Sequence, residues 1–153
     1  MNSGVRSQGT IHERLVLLDT DTCAFILRRS PLAARRSLPA LLDRIQAVPI
    51  RQQALSTVML AELLNGVQVS SRKKANQAAV ELLICHLTVL DWPREAAAHY
   101  ADIRADLKQR GQLIGANDLL IAAHARSVDA CVVTNNVKDF GPVKGLRVEN
   151  WTH

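Results

Sequence analysis

The chain has 153 residues, 48% of them hydrophobic and 22% charged, near the average of a globular domain and long enough for one core without disulfide or metal staples. This excludes a disordered chain, a collagen-like chain and a disulfide-dense miniprotein. Nineteen Lys and Arg against 14 Asp and Glu give a net charge of +5, which leans toward an anionic partner. Cys23, Cys85 and Cys131 are widely spaced and form no CxxC pair, so they read as reduced core thiols in a cytoplasmic setting. The polar stretch 1–13 has no apolar signal segment, and no run of about 18 apolar residues occurs, so neither a signal peptide nor a membrane span is expected. Phe25, Trp92, Tyr100, Phe140 and Trp151 are the only aromatics, too few for a base-stacking sheet of the RRM or OB kind.

In chain order, residues 1–13 read as a polar tail ahead of one domain over 14–153. Leu15 to Leu18 predicts a buried strand running into Asp19. Thr22 to Arg29 predicts a short helix with Cys23, Phe25, Ile26 and Leu27 on its apolar side, broken at Pro31. Leu38, Leu41, Leu42 and Ile45 recur at helical spacing over Ser37 to Gln46, with Pro39 in the first turn. Gln53 to Ser56 is a short strand, followed by a helix capped at Thr57 and stopped at Gly66. A basic, Ala-rich helix covers Ser71 to Cys85, and Leu87 to Leu90 is a strand. Pro93 opens a helix to Arg110 with Ala97, Tyr100, Ile103 and Leu107 on one face, ended by Gly111. Asn117 to Arg126 is a helix apolar nearly all round, hence buried. Ala130 to Thr134 and Leu146 to Val148 are the last strands. Strands alternating with helices give an α/β domain with a mostly parallel sheet, whose ligands sit at the carboxyl ends of the strands.

Three carboxylates interrupt apolar runs. Asp19 follows Leu15-Val16-Leu17-Leu18, Glu62 lies within Val58-Met59-Leu60-Ala61-Glu62-Leu63-Leu64, and Asp118 precedes Leu119-Leu120-Ile121-Ala122-Ala123. A lone buried carboxylate costs several kcal/mol or goes neutral, so three in such places suggest carboxylates gathered around a cation. Each also has an ordinary reading: Asp19 and Asp21 as helix caps, Glu62 on an outward face, Asp118 as a first-turn acid favoured by the helix dipole. Thr134 and Asn136 follow a strand end and face the same cleft, or belong to an Asn-rich turn. No GxGxxG, phosphate-binding loop, HExxH or GxSxG occurs, and His124 reads as a satisfied core residue. Oxygen ligands without His or Cys suit Mg²⁺ or Mn²⁺, ions that activate water and stabilise displacement at phosphorus. Between Thr22 and Thr57 stand Arg28, Arg29, Arg35, Arg36, Arg44 and Arg51 against one acid, Asp43. Arginine there favours bidentate phosphate contact, or forms a solvated helical face.

Four segments in order, Leu18-Asp19-Thr20, Leu60-Ala61-Glu62-Leu63, Gly115-Ala116-Asn117-Asp118-Leu119-Leu120-Ile121-Ala122-Ala123-His124-Ala125 and Val133-Thr134-Asn135-Asn136-Val137-Lys138-Asp139-Phe140, resemble PIN-domain ribonucleases. More narrowly they resemble VapC toxins of bacterial type II toxin–antitoxin modules, as does the closing Gly145-Leu146-Arg147-Val148-Glu149-Asn150-Trp151. The resemblance spans about residues 15–151. It implies a three-layer α/β/α fold with a parallel sheet and a Mg²⁺- or Mn²⁺-dependent endoribonuclease. It also implies a homodimer, a cognate VapB-like antitoxin that occludes the site, and operator DNA bound only through that antitoxin. Carried over, Asp19, Glu62 and Asp118 are the catalytic, metal-holding acids. Thr20, Thr134 and Asn136 line the substrate, and Arg28 and Arg29 are RNA contacts. Asn136 stands where many PIN domains have a fourth Asp, with Asp139 nearby for an outer role, and Asp21 stands where the family often has Asn. The branch it resembles cleaves initiator tRNA in the anticodon loop. Two other readings remain: a catalytically weak or dead PIN fold that binds RNA, and a Mg²⁺-binding phospho-acceptor signalling domain, for which Asp91 is the one candidate acceptor.

Overall fold

Among the described residues, which are 14–20, 22–23 and 38–152 of the computed structural model, five short strands form one sheet. They are β1 (Val16–Leu18), β2 (Gln53–Ser56), β3 (Thr88–Leu90), β4 (Cys131–Val133) and β5 (Arg147–Glu149). Their order is β3-β2-β1-β4-β5, and every neighbouring pair is parallel. Parallel neighbours need long crossovers, and helices supply them: α1 (Leu38–Ala47), α2 (Thr57–Gln68), α3 (Lys73–His86), α4 (Ala96–Gln109), α5 (Ala116–Ser127) and the single turn α6 (Val137–Phe140). The tail 1–13, Asp21, most of the helix expected over Thr22 to Arg29, and Arg28, Arg29, Arg35 and Arg36 lie outside the described residues.

From β1 the chain steps outward through β2 to β3, then crosses to β4 on the other side of β1 and ends at β5. The direction of winding therefore reverses between β1 and β4, the place where open parallel sheets bind ligands. Leu18 pairs with Val133 in register, so Asp19 and Thr134 leave the sheet side by side. The Asp19 amide continues the ladder by donating to the Val133 carbonyl at 2.8 Å. Strands β1, β2 and β4 are buried along their length, and β3 and β5 are partly exposed edges. That explains the unbroken apolar runs Val16-Leu17-Leu18 and Cys131-Val132-Val133.

Around the sheet, Met59, Leu63 and Val67 of α2, Ile103 and Leu107 of α4, and Ile121, Ala122, Ala123 and Ala125 of α5 complete the core. The tail of the chain closes it with Trp151, 2% exposed. The Gln53 amide donates to the Ile45 and Val48 carbonyls at 2.8 and 2.9 Å, which ties the end of α1 to the start of β2.

Several boundaries differ from those read in the sequence. Ser56, not Thr57, caps α2, its hydroxyl accepting from the Val58 amide at 3.2 Å. Gly66 does not stop that helix, which runs on to Gln68 because buried Val67 anchors the last turn. Pro93 opens a turn rather than α4, with the Ala96 amide donating to its carbonyl at 3.0 Å. Ala96, Ile103 and Leu107 form the buried face of α4 while Ala97 is exposed; positions 96, 103 and 107 fit the helical period better. Gly111, at φ +67°, ends that helix as expected. Cys85 is exposed on α3, so it is not a core thiol; Cys23 and Cys131 are buried.

Candidate active site

Asp19 is only 4% exposed. Its backbone carbonyl accepts from the Cys23 amide at 3.0 Å, the first bond of the helical turn that follows. Its side chain serves a second purpose. One carboxylate oxygen accepts from the Thr20 amide and the other from the Thr134 hydroxyl, both at 2.8 Å. Those donors offset the cost of burying the charge. Thr134 is fully buried, and its oxygen also accepts from the Asn136 amide at 2.9 Å. The Asn136 side chain donates to the Asp139 carboxylate. On the other side, the Thr20 hydroxyl donates to Glu62 Oε2. A continuous polar chain therefore runs Glu62, Thr20, Asp19, Thr134, Asn136, Asp139 across the carboxyl ends of β1 and β4.

Glu62 is half-buried in α2, between buried Met59 and Leu63. Asp118 is half-buried in the first turn of α5, where the helix dipole favours a negative charge. Asp118 does not enter the polar chain through a described bond; it is placed by its neighbours. Asn117 and Leu120 line a cleft of about 480 Å³ whose opposite wall is Thr57, Val58, Ala61, Glu62 and Asn65 of α2. Asn65 and Asn117 were not singled out in the sequence. Asn65 lies one turn beyond Glu62, so helical spacing points to it, whereas Asn117, next to Asp118, is brought to the cleft only by the packing of α5 beside α2. Trp92 was missed as well. Its backbone amide donates to the Thr57 hydroxyl at 3.3 Å and its indole N–H to the Leu120 carbonyl at 2.9 Å, so it clamps the two walls.

A PIN domain family profile matches residues 16–144. The chain belongs to the PIN-domain family. It is 35% identical to ribonuclease VapC2 of Rickettsia felis over 137 residues, which cover 90% of this chain and 98% of that one. It is 36% identical to the tRNA(fMet)-specific endonuclease VapC of Salmonella typhimurium over 135 residues, 88% of this chain and 96% of that one. The DNA-bound VapBC of Salmonella typhimurium superposes with a TM-score of 0.80 at 35% identity, covering 90% of this chain and 98% of its counterpart. By these likenesses this PIN domain resembles ribonucleases of the VapC kind, and the α/β fold with a parallel sheet expected of it is present.

The side chains that meet at the ends of β1 and β4 offer oxygen: carboxylates of Asp19 and Glu62, with hydroxyls of Thr20 and Thr134 beside them. Such donors fit a hard divalent cation. The nearby Cys23 does not join them. Burial, and then the Asp19 charge, push its thiol far up, and it donates weakly to the Leu18 carbonyl. Nor does His124. It is 1% exposed, burial holds its pKa below the ordinary value, and Nδ1 meets the Ser56 hydroxyl at 2.8 Å, so it is a satisfied core residue. Among the described residues no group of three or more His, Cys, Asp or Glu stands as a ready-made cage; Asp19 and Glu62 meet through Thr20 instead.

Two other sequence readings change. Asp91, the candidate phospho-acceptor, is exposed and follows β3, an edge strand rather than a central one. Arg44 and Arg51 are exposed but sit near the amino end of β2, since Gln53 bonds to residues 45 and 48. In a parallel sheet that is the end away from Asp19, so these two do not form a phosphate track beside the acids.

Proposed function

We propose that this VapC-family chain hydrolyses RNA phosphodiester bonds at the carboxyl ends of β1 and β4 as the toxin of a toxin–antitoxin pair. The carrying observation is the buried Asp19 carboxylate, held in a fixed orientation by Thr20 and Thr134 and linked through Thr20 to Glu62. Asp19, Glu62 and Asp118 are the residues that would hold Mg²⁺ or Mn²⁺. The ion's contribution is to lower the pKa of a water and neutralise charge on the phosphate. The chain's own residues do the positioning. Thr134 fixes the rotamer of Asp19, and Thr20 spaces Asp19 from Glu62. Asp139 orients the Asn136 amide, a neutral hydrogen-bonding group at the cleft edge that adds no further negative charge. Arg28 and Arg29 supply phosphate contacts.

The substrate we favour is a structured tRNA, in line with the Salmonella typhimurium relative named for tRNA(fMet). A VapB-like antitoxin is the partner, as in the VapBC complexes of Rickettsia felis and Salmonella typhimurium, both solved with DNA; operator DNA would be reached through that antitoxin. The active unit is a homodimer in the cytoplasm, and residues 1–13 are a tail outside the PIN domain. Incubating the purified chain with total tRNA, with Mg²⁺ or with EDTA, tests this. Discrete Mg²⁺-dependent fragments are expected, absent with Asp118→Asn. Intact RNA at verified folding would leave a PIN fold that binds RNA without cutting it.

A further inference from the structure

The cleft between α2 and the start of α5 is continuous with the polar chain through Glu62, yet the rest of its lining is not that of a phosphate site. Among the described residues that line it, Glu62 is the one charged, and that charge is negative. Val58, Ala61 and Leu120 give apolar walls, and Asn65 and Asn117 place two neutral amides, exposed to solvent, on opposite sides. These residues themselves offer a phosphate no positive charge. A nucleobase has the matching chemistry: flat apolar faces and a hydrogen-bonding edge without charge. A single base is small enough to enter a cleft of about 480 Å³, and asparagine amides, with donors and an acceptor each, can pair with base edges. Single-stranded RNA is read in this way, by splayed bases hydrogen-bonded along their edges. Trp92 holds the walls at fixed separation by bonding to Thr57 and Leu120.

We infer that this cleft is a base subsite, in which Asn65 and Asn117 select the nucleotide adjoining the scissile phosphate of a single-stranded RNA segment. This rests on the ribonuclease reading above and deepens it. Asn65 and Asn117 are specificity residues, distinct from the acids that act on the phosphate. The sequence preference of cleavage therefore resides in α2 and the first turn of α5.

Two measurements on the full chain test this. In the first, four oligoribonucleotides differing only at the base beside the cut are cleaved by wild type, Asn65→Ala, Asn117→Ala and Ala61→Leu, each checked for folding by its melting curve. Wild type should prefer one base, and each Asn variant should lose about tenfold of that preference through KM and kcat on the favoured base. Ala61→Leu, which fills the cleft from an exposed position, should slow the favoured substrate most. Base preference unchanged in both Asn variants would overturn the inference. In the second, side-chain amide signals of Asn65 and Asn117 are followed by NMR in EDTA as nucleoside 5′-monophosphates or ribose 5-phosphate are added. Shifts with the nucleotides alone support a base subsite, and equal shifts with ribose 5-phosphate overturn it. A wild type that cuts no RNA would overturn the ribonuclease reading instead, and the NMR comparison still decides what the cleft binds.

Discussion

The hydroxyl of Thr134 donates to the carboxylate of Asp19 across 2.8 Å, although 115 residues separate them in the chain. The bond exists because β1 and β4 are parallel neighbours in register, so the residues just past Leu18 and Val133 emerge together. Both are buried, at 4% and 0% exposure, and a buried charge that loses a donor loses more than the bond alone. Thr134→Val should therefore cost roughly 1–3 kcal/mol of stability and lower RNA cleavage, because Asp19 loses one of the donors that orient it. Thr134→Ser keeps the hydroxyl and should restore both. Chemical denaturation and cleavage assays on the two variants check this; a Val variant as stable and active as wild type would show that Asp19 needs no such support.

Acid should weaken the fold through His124. Burial lowers its pKa from the ordinary 6.5, so below that pH the unfolded chain binds a proton that the folded chain resists. Stability then falls as pH is lowered below about 6.5 and continues to fall until the folded group titrates too. His124→Gln removes the titrating ring. Melting temperatures from about pH 7 to pH 5 should drop less steeply in the variant than in wild type. Parallel slopes would place the acid sensitivity elsewhere.

The cysteines should divide by burial. Cys85 is exposed, while Cys23 and Cys131 are buried; burial and the nearby Glu149 push the Cys131 thiol up to about 11. Thiolate is the reactive form. A thiol reagent at neutral pH should modify one cysteine per native chain quickly, and the other two only after denaturant is added. Cys85→Ser should abolish the fast phase. A fast phase that survives it would mean that the helical turn carrying Cys23, or β4, opens locally.

Much of this was legible because the signals were local. A continuous apolar run ending in an acid is a strand with a functional end, and Leu15 to Leu18 before Asp19 carried that message. The buried helix around Ile121 was visible because apolar residues leave no polar face. What escaped was tertiary. No local pattern says that β1 lies between β2 and β4, so the pairing of Asp19 with Thr134 was reachable only through a family resemblance. Gly66 misled because its intrinsic cost is small, about 1 kcal/mol, against the burial of Val67. Asn65 and Asn117 looked like ordinary polar helix residues, and only the packing of α2 beside α5 makes them two sides of one cleft. The arginine-rich segment reads as one patch in sequence, yet Arg51 sits at the far end of the sheet from the acids.

The role of Asp19 as an ion ligand can be separated from its role in the helical turn that follows it. Asp19 and Glu62 are like charges that meet at Thr20, Asp19 accepting from its amide and Glu62 from its hydroxyl, an arrangement that works against folding and is kept for function. Asp19→Asn removes one charge and keeps an oxygen to accept from the Thr20 amide, while its new NH2 group can donate to the Thr134 hydroxyl oxygen. In EDTA the variant should melt at or above the wild-type temperature, and RNA cleavage should fall steeply. Mg²⁺ should raise the wild-type melting temperature by preferential binding to the folded state, by about 2.7 kcal/mol at a hundredfold excess over its dissociation constant. That rise should vanish in Asp19→Asn and shrink in Asp118→Asn. A purely structural Asp19 predicts the reverse order, because losing a side chain that tethers the start of a helix costs about 0.5–2 kcal/mol whatever the metal. Melting curves of the three proteins in EDTA and in Mg²⁺ separate the two. A destabilised Asp19→Asn beside a wild type indifferent to Mg²⁺ would mean that the carboxylates serve the fold alone.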